Sequence, residues 1–102
     1  MTNLEALQSL TEYSNDNLLT KILTDHGVTA GGTYAAANEQ VIDLCAADLY
    51  HTLAGHPELK EGSMSMKFNA GELRRMRKVI LRKYGLDEAT VTGRLSDGDS
   101  IW

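Results

Sequence analysis

The stretch that decides the fold is residues 34–54, YAAANEQVIDLCAADLYHTLA, with Gly55 and Pro57 following it. Apolar residues recur there at helical spacing, so the stretch predicts one long helix that ends at the glycine. On a helical wheel one apolar face collects Tyr34, Ala37, Val41, Leu44, Cys45, Leu49 and Thr52. Asp48 falls in the middle of that face. This is unusual, because a carboxylate is rarely buried without a partner.

Three further helices are predicted around this one. The first spans about 3–12, and the second opens at Ser14 or Asn15 and stops at Gly27. The last spans about 70–84, with Asn69 as its N-cap. Its apolar stripe is Leu73, Met76, Ile80 and Tyr84. Its opposite side carries Arg74, Arg75, Lys78 and Arg82.

Arg77 breaks the pattern of this last helix, because it lies close to the apolar stripe. Asp48 and Arg77 are therefore the two charged residues placed on faces that should be buried. A guanidinium offers a carboxylate a matching pair of donors. Our hypothesis is a buried ion pair between Asp48 and Arg77.

Residues 62–68 alternate between apolar and polar side chains, with Met64, Met66 and Phe68 on one side. This two-residue period is typical of a short strand or hairpin-like segment, which must pair with something. The predicted fold is thus mainly all-α, a small bundle of about four helices with this one short segment. We expect one helical domain at 1–86 and a polar C-terminal tail at 87–102. In that tail Ile101 and Trp102 are a candidate anchor onto a neighbouring subunit or another partner.

Charge is distributed unevenly along the 102 residues, although the net charge is only −4. Residues 1–58 carry −7, residues 59–86 carry +6, and residues 87–102 carry −3. A basic helix can face nucleic acid, or it can meet an acidic surface of the same protein or of another copy. The third interpretation is a solvated helix face that is balanced by acidic neighbours.

Several classes of protein are not expected. A single cysteine excludes an internal disulfide framework and a multi-cysteine zinc site. His26, His51 and His56 do not share a helix face, so no metal ligand set is visible. We expect no enzyme site, cofactor or small-molecule substrate, and neither a membrane helix nor a signal peptide.

The segment from Ala47 to Gly85 resembles the small head–tail connector (adaptor) proteins of tailed bacteriophages and prophages. The motifs in common are Ala47-Asp48-Leu49, then Glu61-Gly62-Ser63 leading into the alternating segment, and Lys83-Tyr84-Gly85 at the close of a basic helix. The resemblance implies a non-catalytic, all-α subunit without a cofactor. It also implies assembly as a ring beneath the portal, with DNA passing through the middle, in the virion or the cytoplasm of the bacterial host. The alternative is a small helical DNA-binding or regulatory protein that uses the basic helix 70–84.

Overall fold

The computed structural model describes residues 1–56 and 68–86, which are mostly helical. The helices are α1 (Asn3–Thr11), α2 (Asp16–Asp25), α3 (Glu39–Gly55) and α4 (Ala70–Lys83), with a 3-10 turn (Ala36–Asn38) before α3. These two ranges contain no strand, only one isolated bridge between Thr2 and Thr33. The prediction of a small all-α bundle with about four helices is confirmed.

Three of the helices begin at side chains that accept hydrogen bonds from free backbone N–H groups. Thr2 and Asn69 each form a reciprocal capping box, with Glu5 and Glu72 respectively. Asn15 caps α2 by accepting from the backbone N–H of Leu18 at 3.2 Å. The helix starts predicted from the sequence agree with these caps.

The start of α3 was predicted wrongly, since the helix begins at Glu39 and not at residue 34. Ala35 is extended, with φ −142° and ψ 163°. The backbone N–H of Tyr34 donates to the carbonyl oxygen of Met1 at 2.9 Å. Residues 33–34 are thus held beside the N-terminus by backbone pairing, which helical periodicity does not reveal.

Asn3 ties the start of α1 to the loop before α3. Its side chain is 4% exposed; it donates from Nδ2 to the carbonyl of Thr29 at 2.9 Å and accepts from Nδ2 of Asn38 at 3.1 Å. Its backbone N–H donates to the carbonyl of Gly32 at 2.8 Å. A Cβ at Gly32 would lie 3.3 Å from both the Asn3 amide and the Thr29 carbonyl, so this approach favours glycine.

Helix α3 is central, because it contacts α1, α2 and α4. It is therefore buried on more than the one face predicted. Cys45 and Leu49 of the predicted face are buried, whereas Ala37 is exposed. The buried residues of α3 are Ile42, Cys45, Ala46, Ala47, Leu49, Tyr50, Leu53 and Ala54.

Helix α4 packs against α3 in the antiparallel direction. Leu81 near its C-terminus contacts the cluster around Ala47, and Lys83 reaches Glu39 and Asp43 in the first half of α3. Its buried residues are Leu73, Arg77 and Leu81. The predicted apolar stripe of α4 is therefore right in part. Leu73 is buried, whereas Met76, Ile80 and Tyr84 are only half-buried.

The predicted strand and tail anchor fall largely outside the described residues. Met64 and Met66 of the strand lie there, as do Ile101 and Trp102. Phe68 is described; it is half-buried and packs against the main core cluster.

Candidate interaction surface

The basic face of α4 consists of Arg74, Arg75, Lys78 and Arg82, and all four side chains are exposed. It lies opposite the packed side of the helix, as the sequence predicted. In residues 1–56 and 68–86, none of the four is ion-paired with a carboxylate. The exposure of these four side chains fits each of the three interpretations of the basic helix.

Acidic side chains dominate the surface of the first half of the chain. Glu5 and Glu12 on or after α1, Asp16 and Asp25 on α2, and Glu39 on α3 are exposed. Lys21 is the only base in this half and already binds Asp25, with Nζ 2.7 Å from Oδ2. The described part of the molecule thus presents exposed acidic side chains on α1, α2 and the start of α3, and exposed basic side chains on α4.

The hypothetical pair of Asp48 with Arg77 is not what the structure shows. Arg77 is buried, at 4% exposure, as its place beside the apolar stripe suggested. Asp48, however, binds His26, with Oδ2 3.0 Å from Nε2 of the imidazole. The two side chains are 24% and 13% exposed, and their contact ties the C-terminal end of α2 to α3. The sequence marked Asp48 as needing a partner, but the choice of partner depends on how the helices cross.

Cys45 is buried one turn before Asp48 and is fully protected from solvent. Burial, and secondarily the negative charge of Asp48, raises the pKa of the thiol to about 12. A thiol held in this protonated form is a poor nucleophile. Cys45 therefore behaves as a small apolar residue of the core.

The free energy of unfolding is expected to fall above pH 9 because of Cys45. In the unfolded chain the thiol loses its proton near its ordinary pKa of 9.0, whereas in the native protein it keeps it up to about 12. The unfolded state then binds fewer protons, so stability is complete below pH 9 and declines by at most about 1.4 kcal/mol per pH unit above it. Urea unfolding of the wild type and of Cys45→Ala from pH 8 to 10 measures this. If the free energy of unfolding falls equally with pH in the two proteins, the thiol is not responsible for the fall.

A polar cluster joins the end of α4 to the first half of α3. Lys83 Nζ lies 3.1 Å from Oδ2 of Asp43 and 3.5 Å from Oε2 of Glu39, and the Tyr84 hydroxyl donates to Asp43. The bond to Asp43 raises the pKa of both Lys83 and Tyr84 above their ordinary values. The sequence did not predict this cluster, because its members are about 40 residues apart.

No group of three or more histidine, cysteine, aspartate or glutamate side chains in the described ranges is placed to hold a metal ion. In those ranges, no helix is long and apolar enough to cross a membrane.

The chain belongs to a family of unknown function, DUF6706, whose model matches residues 1–102. No curated protein and no solved structure matches it. Its function therefore has to be inferred from the chemistry of its own surface.

Proposed function

We propose that this protein is a non-catalytic structural subunit of a phage or prophage particle, resembling a head–tail connector that assembles as a ring under the portal. The observation that carries the proposal is the basic face of α4, four exposed cations without an ion-paired carboxylate in the described part of the molecule. The same small domain has an acidic surface on α1, α2 and the start of α3.

Opposite charges on one subunit suit assembly into a closed ring. In a ring each interface joins two unlike patches, so a subunit needs two complementary surfaces. Complementary charge also favours the correct orientation when subunits meet. The partners would be further copies of the chain and other head or tail proteins such as the portal. The setting would be the virion or the cytoplasm of the bacterial host.

The second candidate function is DNA binding through the same basic face. Four cations on one exposed helix side can neutralise phosphates without reading sequence. This function would not require subunits to assemble. The two candidates therefore differ in whether the basic face binds another subunit or DNA.

Light scattering over a range of protein concentrations tests the assembly proposal. We expect the mean mass to rise above that of the monomer with concentration, and the rise to weaken in high salt because exposed charges are screened. Arg75→Glu should raise the concentration for half-assembly about tenfold or more, which corresponds to about 1.4 kcal/mol. Lys21→Glu makes the same change of charge within the acidic surface, where Lys21 pairs with Asp25, and should not raise that concentration.

A gel-retardation assay with duplex DNA separates the two candidates. A chain that stays monomeric at every concentration and salt, yet retards DNA through Arg75, would contradict the connector proposal. A chain that assembles without affinity for DNA would exclude the DNA-binding alternative.

A further inference from the structure

Three large hydrophobic side chains are exposed in the described ranges: Met1 at 67%, Leu10 at 45% and Val79 at 61%. Single exposed hydrophobic residues are ordinary on a protein surface. Two of these three lie together. Met1 and Leu10 lie in one groove, and Val79 lies within the basic face of α4.

The groove runs between α1 and α3 and has a volume of about 330 Å³. Its apolar lining is Met1, Ala6, Leu10, Tyr34 and Ile42. Ser9, Glu39 and Asp43 complete the lining. Lys83 is bound to both carboxylates. The groove lies within the acidic surface formed by α1 and the start of α3, where Glu5 and Glu39 are exposed.

Val79 is surrounded by positive charge. Arg75 precedes it by four residues and Arg82 follows it by three, so both lie beside it on the helix surface. Lys78 is its neighbour in sequence and is also exposed. The exposed side of α4 is therefore one apolar side chain with cations around it. The groove is apolar as well, but the exposed charges around it are acidic.

We propose that the groove between α1 and α3 of one copy of the chain receives the exposed side of α4 from a second copy. Val79 would enter the apolar part, and Arg75 and Arg82 would lie near Glu39 and Asp43. The inference rests on the proposed function and deepens it, because it names the two surfaces that meet.

A second copy fits these observations better than nucleic acid does. Phosphate binding needs cations, but it gives no reason for an exposed valine in their midst or for an apolar groove elsewhere. The exposed acidic side chains around the groove, such as Glu5 and Glu39, would repel a phosphate backbone. An apolar centre with a charged surround is the usual composition of a protein–protein contact.

Disulfide trapping in the full chain tests this contact. Leu10→Cys and Val79→Cys are prepared as separate proteins, mixed, and oxidised. A bond forms only where the Cα atoms come within about 4.4–6.8 Å. We expect the mixture to form covalent dimers at least about tenfold faster than Val79→Cys mixed with Thr24→Cys, which is a matched exposed site on α2. The native Cys45 does not interfere, because it is buried.

A second experiment measures the mean mass of a further variant by light scattering. Leu10→Asp adds a carboxylate to the groove and should lower the mean mass at a given concentration, while Thr24→Asp should not. If the wild type assembles but trapping is no faster than in the control and Leu10→Asp assembles normally, another segment or partner occupies the groove and this inference is wrong. If the wild type never assembles, the proposed function is wrong as well.

Discussion

Leu49→Ala is expected to lower the free energy of unfolding by about 2–5 kcal/mol. Leu49 is completely buried, in the helix that contacts the other three. Truncation removes apolar contacts and leaves a cavity that close-packed neighbours fill only in part. A domain of this size has only about 5–15 kcal/mol of stability in all. The melting temperature should therefore fall by at least about 8 °C.

Thermal and urea unfolding followed by circular dichroism measure this loss. Leu10→Ala is the matched control, since it removes the same atoms from a side chain that is 45% exposed. That variant should lose less than about 1 kcal/mol. Equal losses at positions 10 and 49 would contradict the central place that the structure gives to α3.

Asn3→Ala is expected to cost about 1–3 kcal/mol of stability, although it deletes a polar side chain. The Asn3 amide is the shared partner of the Thr29 carbonyl and the Asn38 amide. Removing it takes hydrogen bonds from two groups in a partly buried place. The backbone pairing of α1 with the loop at Gly32 should loosen too, so faster hydrogen exchange is expected at the amides of Asn3, Leu4 and Tyr34.

Asn17→Ala provides the comparison for this second variant. Asn17 is exposed on the first turn of α2, and alanine has a higher helix propensity than asparagine. Its stability should stay within about 0.5 kcal/mol of the wild type. A loss at Asn3 no larger than this would mean that the hydrogen bonds around it contribute little.

The helices were predictable because their signals are local. Thr2, Asn15 and Asn69 are typical capping residues, and each begins a helix where the apolar period starts. The start of α3 was missed because Ala35 and its neighbours have high helix propensity, yet the backbone pairing of Tyr34 with Met1 keeps them out of the helix. That pairing joins residues 33 apart, so no short window of sequence contains it.

The candidate interaction surface was likewise predictable only in part. The basic face of α4 was predictable, since it depends on the spacing of Arg74, Arg75, Lys78 and Arg82 within one helix. The groove was not, because Leu10, Tyr34 and Ile42 come from three separate segments that only the fold brings together. Asp48 is intermediate: its position on a buried face was predicted, but its partner His26 was not.

The order in which the chain is synthesised has a consequence for α3. Among the described residues, the side of α3 around Ala47 is covered by α4, and 28 residues separate the last residue of α3 from the last residue of α4. At about 5–20 residues per second, the ribosome needs about 1–6 s to make that interval. Until α4 docks, the side of α3 around Ala47 lacks its contact with Leu81. Docking of α4 is thus the step that covers this apolar side of α3, and it can occur only after α4 has been synthesised.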